Sequence, residues 1–164
     1  MRRQQAVLEA GERFVLSLIR SWIAILETGR EPEAFRHHFD ELQQGLNALE
    51  CPAAARAFDG FMEAIVQPGQ RPVEVCCPGS RTVGGDESLL LSACAAIGNG
   101  NFRSARQVLA ARLAPAHVPG ALRNLAIFTA ALEARGYALP ARERPGPHDI
   151  PYPGAPEPAR PTVH

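Results

Sequence analysis

Proline and glycine are distributed unevenly along this 164-residue chain, and their positions limit where regular structure can form. Residues 68–85 hold three prolines and four glycines, and residues 140–164 hold eight prolines. Proline lacks a backbone N–H and its ring clashes with the preceding helical turn, so neither segment can continue a helix. The sequence therefore predicts a helical domain at 1–139, interrupted by a connector at 68–85, and an extended proline-rich tail at 140–164.

Apolar residues on both sides of the connector recur with the spacing of amphipathic helices. Before the connector, three helices are predicted: one over 5–28, one that opens at Pro32 and one that opens at Pro52. After it, three more are predicted: one over 87–97 capped by Asp86, one capped by Asn101 and one that opens at Pro119. The fold class is then all-α, a compact bundle of about six helices with three plus three helices around the connector.

The second predicted helix carries the most regular apolar row of the chain. Its members step by four, three, four and three positions: Phe35, Phe39, Leu42, Leu46 and Leu49. In the other helices, side chains expected in the core include Phe58, Phe61, Cys94, Phe102, Leu109 and Phe128. After the last helix, Tyr137 and Leu139 are expected to fold back onto the bundle.

Acidic and basic residues balance, at 17 each, so the formal net charge at pH 7 is zero. A neutral chain has no strong field to attract nucleic acid or an anionic membrane, and we expect neither as a partner. The longest apolar segment, 14–26, contains Ser17, Arg20 and Ser21 and is too short and too polar to cross a bilayer. The N-terminal residues lack the apolar stretch of a secretory signal, so we expect a cytoplasmic location and reduced cysteines.

Two adjacent cysteines, Cys76 and Cys77, lie in the connector and are the main candidates for chemistry. Vicinal thiols bind soft metals, cycle between redox states or have only a structural or incidental role, and Cys51 lies at a helix start, where thiols become more reactive. These residues suggest one of two functions that the sequence allows, the alternative to a role in protein–protein contact. It is a soft-metal-binding or thiol-redox protein that uses Cys76 and Cys77 with Cys51, with zinc as the example ion. A closed zinc site takes four ligands, usually as two close pairs, and the chain has no CxxC, so no cofactor is predicted. An enzyme with a cysteine nucleophile is a third hypothesis.

Other motifs point to structure more than to chemistry. His37 has Glu33 and Glu41 four residues away on either side, on one helix face. This face can hold a divalent ion with help from another helix, but a solvated acid–base stripe is the favoured interpretation. The chain has no Gly-x-Ser-x-Gly motif and no phosphate loop, and no motif assigns it to a family.

The tail offers a different kind of interaction. Ile150, Pro151, Tyr152 and Pro153 can form a polyproline-II ligand anchored by Ile150 and Tyr152, or the tail can be a plain spacer. With no charge bias and no catalytic motif, the sequence favours a non-enzymatic cytoplasmic adaptor or accessory subunit. It would act through protein–protein contact, by a groove between helices or by the tail, on a partner protein that the sequence does not identify.

Overall fold

The computed structural model of the chain describes residues 8–141. Within this range the chain forms α1 (Ala10–Glu27), α2 (Pro32–Ala48), α3 (Pro52–Ile65), α4 (Gly85–Gly98), α5 (Phe102–Ala110) and α6 (Val118–Ala134), with a short 3-10 turn at Pro115–His117. No strand occurs between residues 8 and 141, which confirms the all-α prediction. In the same range, no helix is long and apolar enough to pass through a membrane. Nearly all of the predicted tail, including Ile150, Pro151, Tyr152 and Pro153, lies outside the described residues.

Most helix boundaries follow from local chemistry that the sequence shows. Pro32 and Pro52 occupy the first turns of α2 and α3. A backbone N–H there has no partner within the helix, so its absence from proline removes no helical hydrogen bond. Asn101 caps α5, and its side-chain oxygen accepts a hydrogen bond from the Ser104 N–H at 3.1 Å. After α6, Gly136 adopts a φ of 79°, which favours glycine and ends the helix as predicted.

The start of α4 differs from the prediction. Gly84 is the cap and the helix begins at Gly85, so Asp86 lies inside the first turn. The backbone N–H of Gly84 donates to the Glu87 carboxylate at 2.8 Å. Asp86 is therefore free to make long-range contacts, because a later acid of the same turn satisfies the helix end.

The helices before and after the connector share one core. α1 packs mainly on α2, and α3 packs most extensively on α6, which lies on the other side of the connector in sequence. At that crossing the rings of Phe58 and Phe128 lie 5.0 Å apart between centroids, and both side chains are fully buried. The two predicted sets of three helices therefore interlock and do not fold as separate layers.

α1 is surrounded on nearly all sides over its second half, where every residue from 18 to 24 is buried. Trp22 donates its ring N–H to Asp59 of α3 at 2.8 Å. Gly45 lets α2 approach closely, since a Cβ atom there would lie 2.6 Å from Leu18. At the other end, Tyr137 stacks on Phe14 with centroids 4.5 Å apart, which confirms the predicted return of the chain after α6.

Two parts of the predicted core are wrong. On α2, Leu42, Leu46 and Leu49 are buried, but Phe35 and Phe39 at the start of the same row are 40% and 42% exposed. Phe102, predicted to face inward, is 52% exposed. It occupies the first position of α5, and the buried positions of that helix are Ala105 and Leu109. Helical spacing predicts which side of a helix is apolar. It does not predict whether a neighbouring element covers that side as far as the ends of the helix.

Replacing Phe58 by Ala should lower the free energy of unfolding by about 3–5 kcal/mol, because the cavity lies at the α3–α6 crossing. Urea unfolding of the full chain, followed by circular dichroism, measures the change. The matched control is Phe102→Ala, for which we expect a change within about 1 kcal/mol because the ring is half-exposed. Equal losses in the two variants would contradict the packing described above.

Candidate functional site

The Glu87 carboxylate, in the first turn of α4, holds the connector against the bundle. It is fully buried and accepts hydrogen bonds from the Arg20 guanidinium at 2.7 and 3.1 Å. It also accepts the backbone N–H of Cys76 at 3.0 Å and that of Gly84 at 2.8 Å. One side chain therefore joins α1, the connector and the start of α4.

Arg20 extends the same arrangement from α1. Its terminal nitrogens donate to the carbonyl oxygens of Ser80 and Thr82, both at 2.8 Å, while its side chain is only 7% exposed. The hydrogen bond with Glu87 raises the pKa of Arg20. Burial alone would raise the pKa of Glu87, but the hydrogen bonds from Arg20, Gly84 and Cys76 outweigh it and leave that pKa below its ordinary value.

Asp86 forms a second charged cluster beside the first, in which Asp86 and Arg112 are buried and Arg71 is 62% exposed. Its carboxylate accepts two hydrogen bonds from Arg71, at 2.7 and 3.1 Å, and one from the backbone N–H of Glu74 at 2.8 Å. Arg112 of the segment after α5 lies 3.6 Å from it and donates to the Arg71 carbonyl oxygen. Burial raises the pKa of Asp86, but these bonds and the two arginine charges lower it by more. We call the two clusters, Arg20–Glu87 and Arg71–Asp86–Arg112, the connector clamp.

The clamp was missed in the sequence, although two signals for it are present. Arg20 interrupts an otherwise apolar helix face, and a buried arginine requires a counter-charge. Asp86 and Glu87 are adjacent acids after two glycines, where a helix N-terminus favours negative charge. These signals show that a buried pair is needed, but they do not identify which residues form it.

The clamp fixes the backbone of one predicted thiol ligand, Cys76, and the other cysteines lie in different environments. Cys76 is partly buried, with its N–H on Glu87 and its Sγ 3.7 Å from the Thr82 hydroxyl, and Cys77 is exposed. Cys51 precedes the first turn of α3 and is partly buried. Cys94 is buried in the core as predicted, and burial raises the pKa of its thiol to about 12.

The structure does not bring the three predicted cysteine ligands together. Within residues 8–141, one set of three His, Cys, Asp or Glu side chains has ligand atoms within 4.8 Å of one another: His37, His38 and Glu41. This set differs from the predicted helix face, because His38 takes the place of Glu33. A soft-metal or redox role for Cys51, Cys76 and Cys77 stays a prediction.

A cavity of about 700 Å³, lined by both apolar and charged side chains, lies between α1 and the connector turn at 78–81. Its walls include Arg13 and Ser17 of α1, Arg81 of the connector and Glu41 of α2. Arg20 also reaches this wall, but its guanidinium is already bonded to Glu87 and to the connector. Charges of both signs therefore face this cavity.

A second surface feature is apolar. Leu26, Phe35 and Phe39 are 57%, 40% and 42% exposed, and they border a cavity of about 470 Å³ between α1, α2 and α3. The rings of Phe35 and Phe39 stack with centroids 5.9 Å apart. The other residues that line this cavity are Trp22, Ile25, Leu42, Gln43, Leu46, Ala55, Arg56 and Asp59. We call this feature the α1–α3 groove.

Comparison of the chain with protein-family models, with curated proteins and with solved structures found no match. The functional interpretation therefore rests on the geometry of four features: the clamp, the thiols, the cavity beside the connector turn and the α1–α3 groove.

Replacing Glu87 by Gln should lower the free energy of unfolding by about 3–5 kcal/mol, because Arg20 is left buried without a counter-charge. The folded-state pKa of Glu87 lies below its unfolded value, so its contribution is present at neutral pH and is lost as the pH falls through the folded pKa. The gap between wild type and Glu87→Gln should therefore shrink in acid. Denaturant titrations at neutral and acidic pH measure it.

The matched control for that variant is Glu50→Gln. Glu50 pairs with Arg135 at the surface, where the side chains are 69% and 38% exposed. Its loss should change the free energy of unfolding by about 1 kcal/mol or less. If both variants lose equally little at neutral pH, the clamp does not hold the connector.

The thiols should react with iodoacetamide in order of exposure. Cys77 is expected first, and Cys94 only after unfolding, because its thiol is buried and its pKa is raised to about 12. Mass spectrometry of the labelled peptides over time gives the four rates. Labelling of Cys94 as fast as Cys77 in the folded chain would contradict the burial of α4.

Proposed function

We propose that this chain is a non-enzymatic adaptor or accessory subunit that binds another protein through the α1–α3 groove. The observation that carries the proposal is the exposed, stacked pair Phe35 and Phe39 beside the cavity between α1, α2 and α3. Aromatic side chains at the centre of an interface commonly supply much of its binding energy.

The exposed rings are not needed for the packing of α2. Leu42, Leu46 and Leu49, later in the same row, are already buried. Fully covering a large apolar side chain is worth about 1.5–3 kcal/mol, and the exposed parts of Phe35, Phe39 and Leu26 together offer a partner roughly one and a half times that. This supports a role for the rings in binding.

The partner chemistry that fits the groove is an amphipathic helix. Phe35 and Phe39 are one helical turn apart on α2, with ring centroids separated by 5.9 Å. Side chains one turn apart on a partner helix have a similar spacing of about 5–6 Å, so they can pack on and between the two rings. Arg56 and Asp59 are exposed at the edge and can contact polar residues of either charge.

The buried charges support a binding role more than a catalytic one. Arg20, Asp86 and Glu87 are all hydrogen-bonded within the connector clamp. The four cysteines are free thiols, which fits the reducing environment of the cytoplasm. In this proposal the chain works there, and the clamp keeps the bundle rigid.

The double variant Phe35→Ser/Phe39→Ser should lose the partner with little change in stability, because both rings are partly exposed. In the experiment, a photo-crosslinking residue replaces Leu26 in the full chain. The proteins that it captures are identified by mass spectrometry. Loss of both rings should weaken binding of the captured partner by about 30-fold or more, as expected for central interface aromatics. A peptide with the partner's helix provides the affinity measurement.

The matched control is Phe102→Ser, which removes a somewhat more exposed ring from α5. A partner that binds wild type and Phe102→Ser, but not the double variant, supports the proposal. If wild type and the double variant capture the same proteins equally, the groove is not the docking site. If Ile150→Ala/Tyr152→Ala alone abolishes capture, the tail is the contact and the groove proposal is wrong.

A further inference from the structure

His37, His38 and Glu41 bring two imidazoles and one carboxylate together on α2. The two carboxylate oxygens of Glu41 face different rings, His37 Nε2 at 3.3 Å and His38 Nδ1 at 3.7 Å. Successive residues of a helix are about 100° apart, so position 41 projects between positions 37 and 38. The helix backbone therefore places the three side chains on one face of α2, where their rotamers bring the ligand atoms together.

These separations are close to those of ligands around a tetrahedral metal ion. Zinc bonds to imidazole nitrogen and carboxylate oxygen are roughly 2.0–2.1 Å long, which places neighbouring ligand atoms roughly 3.3 Å apart. The His37–Glu41 separation of 3.3 Å already has this value, and all three ligand atoms lie within 4.8 Å of one another. Small side-chain rotations bring the remaining distances into range.

His38 supplies a second, independent observation. Its Nδ1 atom is buried and has no hydrogen-bond partner among the described residues. A buried polar atom without a hydrogen-bond partner is unfavourable, because it has lost its hydrogen bonds to water. A metal ion between Nδ1 and Glu41 satisfies this atom, whereas His37 is 68% exposed and can turn to bind the same ion.

We propose that His37, His38 and Glu41 form a binding site for a divalent transition metal ion of the zinc type. Two imidazoles and a carboxylate are ligands that zinc accepts, and they leave a fourth position for water or another ligand. Glu41 is also one of the residues that line the cavity between α1 and the connector turn. The site contains none of the cysteines predicted as metal ligands.

The test uses the untagged full-length chain with Co²⁺ as a spectroscopic probe and Zn²⁺ as competitor. Wild type should bind one Co²⁺ with the visible absorption of a low-coordinate site and without a thiolate charge-transfer band. His38→Ala and His37→Ala should each weaken binding by about tenfold or more, since each removes one of three ligands. Circular dichroism checks that the variants keep their helices.

Two controls make the assignment specific. His117→Ala removes an exposed histidine from the turn before α6 and should leave Co²⁺ affinity unchanged. Cys76→Ser/Cys77→Ser should also leave it unchanged. The proposal is overturned if no Co²⁺ binds at millimolar concentration or if His37→Ala and His38→Ala bind as wild type. A thiolate band that disappears in the cysteine variant would overturn it too, because it would locate the metal on the connector.

Discussion

The pairing of Arg20 with Glu87 decides the form of the connector and, through it, the relation between the two sets of helices. Residues 66–84 contain no helix or strand, so their backbone groups need partners from elsewhere. Arg20 donates hydrogen bonds to two of their carbonyl oxygens, and Glu87 accepts hydrogen bonds from the N–H groups of Cys76 and Gly84. The desolvation of both charges is offset only because each has several hydrogen bonds. The position of the cysteine pair follows from this arrangement.

The clamp also explains why α1 can be buried on nearly every side. A charged side chain such as Arg20 is unfavourable in an apolar environment. Here its guanidinium bonds to Glu87 and to the connector, and these take the place of a packed helix on that side of α1. On the other side, Trp22 bonds to Asp59 of α3, and Gly45 admits α2 to close contact. α1 thus contacts α2, α3, α4 and the connector. The core spans the connector because α3 packs on α6 across it.

The sequence predicted what depends on neighbouring residues and missed what depends on distant ones. Proline positions, the Asn101 cap and helical spacing are local, so the six helices and most buried positions could be predicted. Arg20 and Glu87 are 67 residues apart, and no periodicity relates them. The exposure of Phe35 and Phe39 was missed for the same reason, since their row is regular but nothing in the described fold covers its first turn. The histidine cluster was half predicted, because residues 37 and 41 share a face by spacing, whereas the turn of the His38 ring toward Glu41 depends on tertiary packing.

The clamp and the α1–α3 groove are linked through α1. Residues 20 and 22 are about 200° apart around the helix, so Arg20 faces the connector while Trp22 lines the groove. The groove floor is therefore formed by a helix that hydrogen bonds fix on both sides, to Glu87 and to Asp59. A fixed floor lowers the entropy lost when a partner binds, because fewer side chains and no backbone need to be ordered. Loosening the clamp should then weaken binding in the groove even though the clamp touches no partner. If the α1–α3 groove is the docking site, as proposed, the connector contributes to recognition without touching the partner.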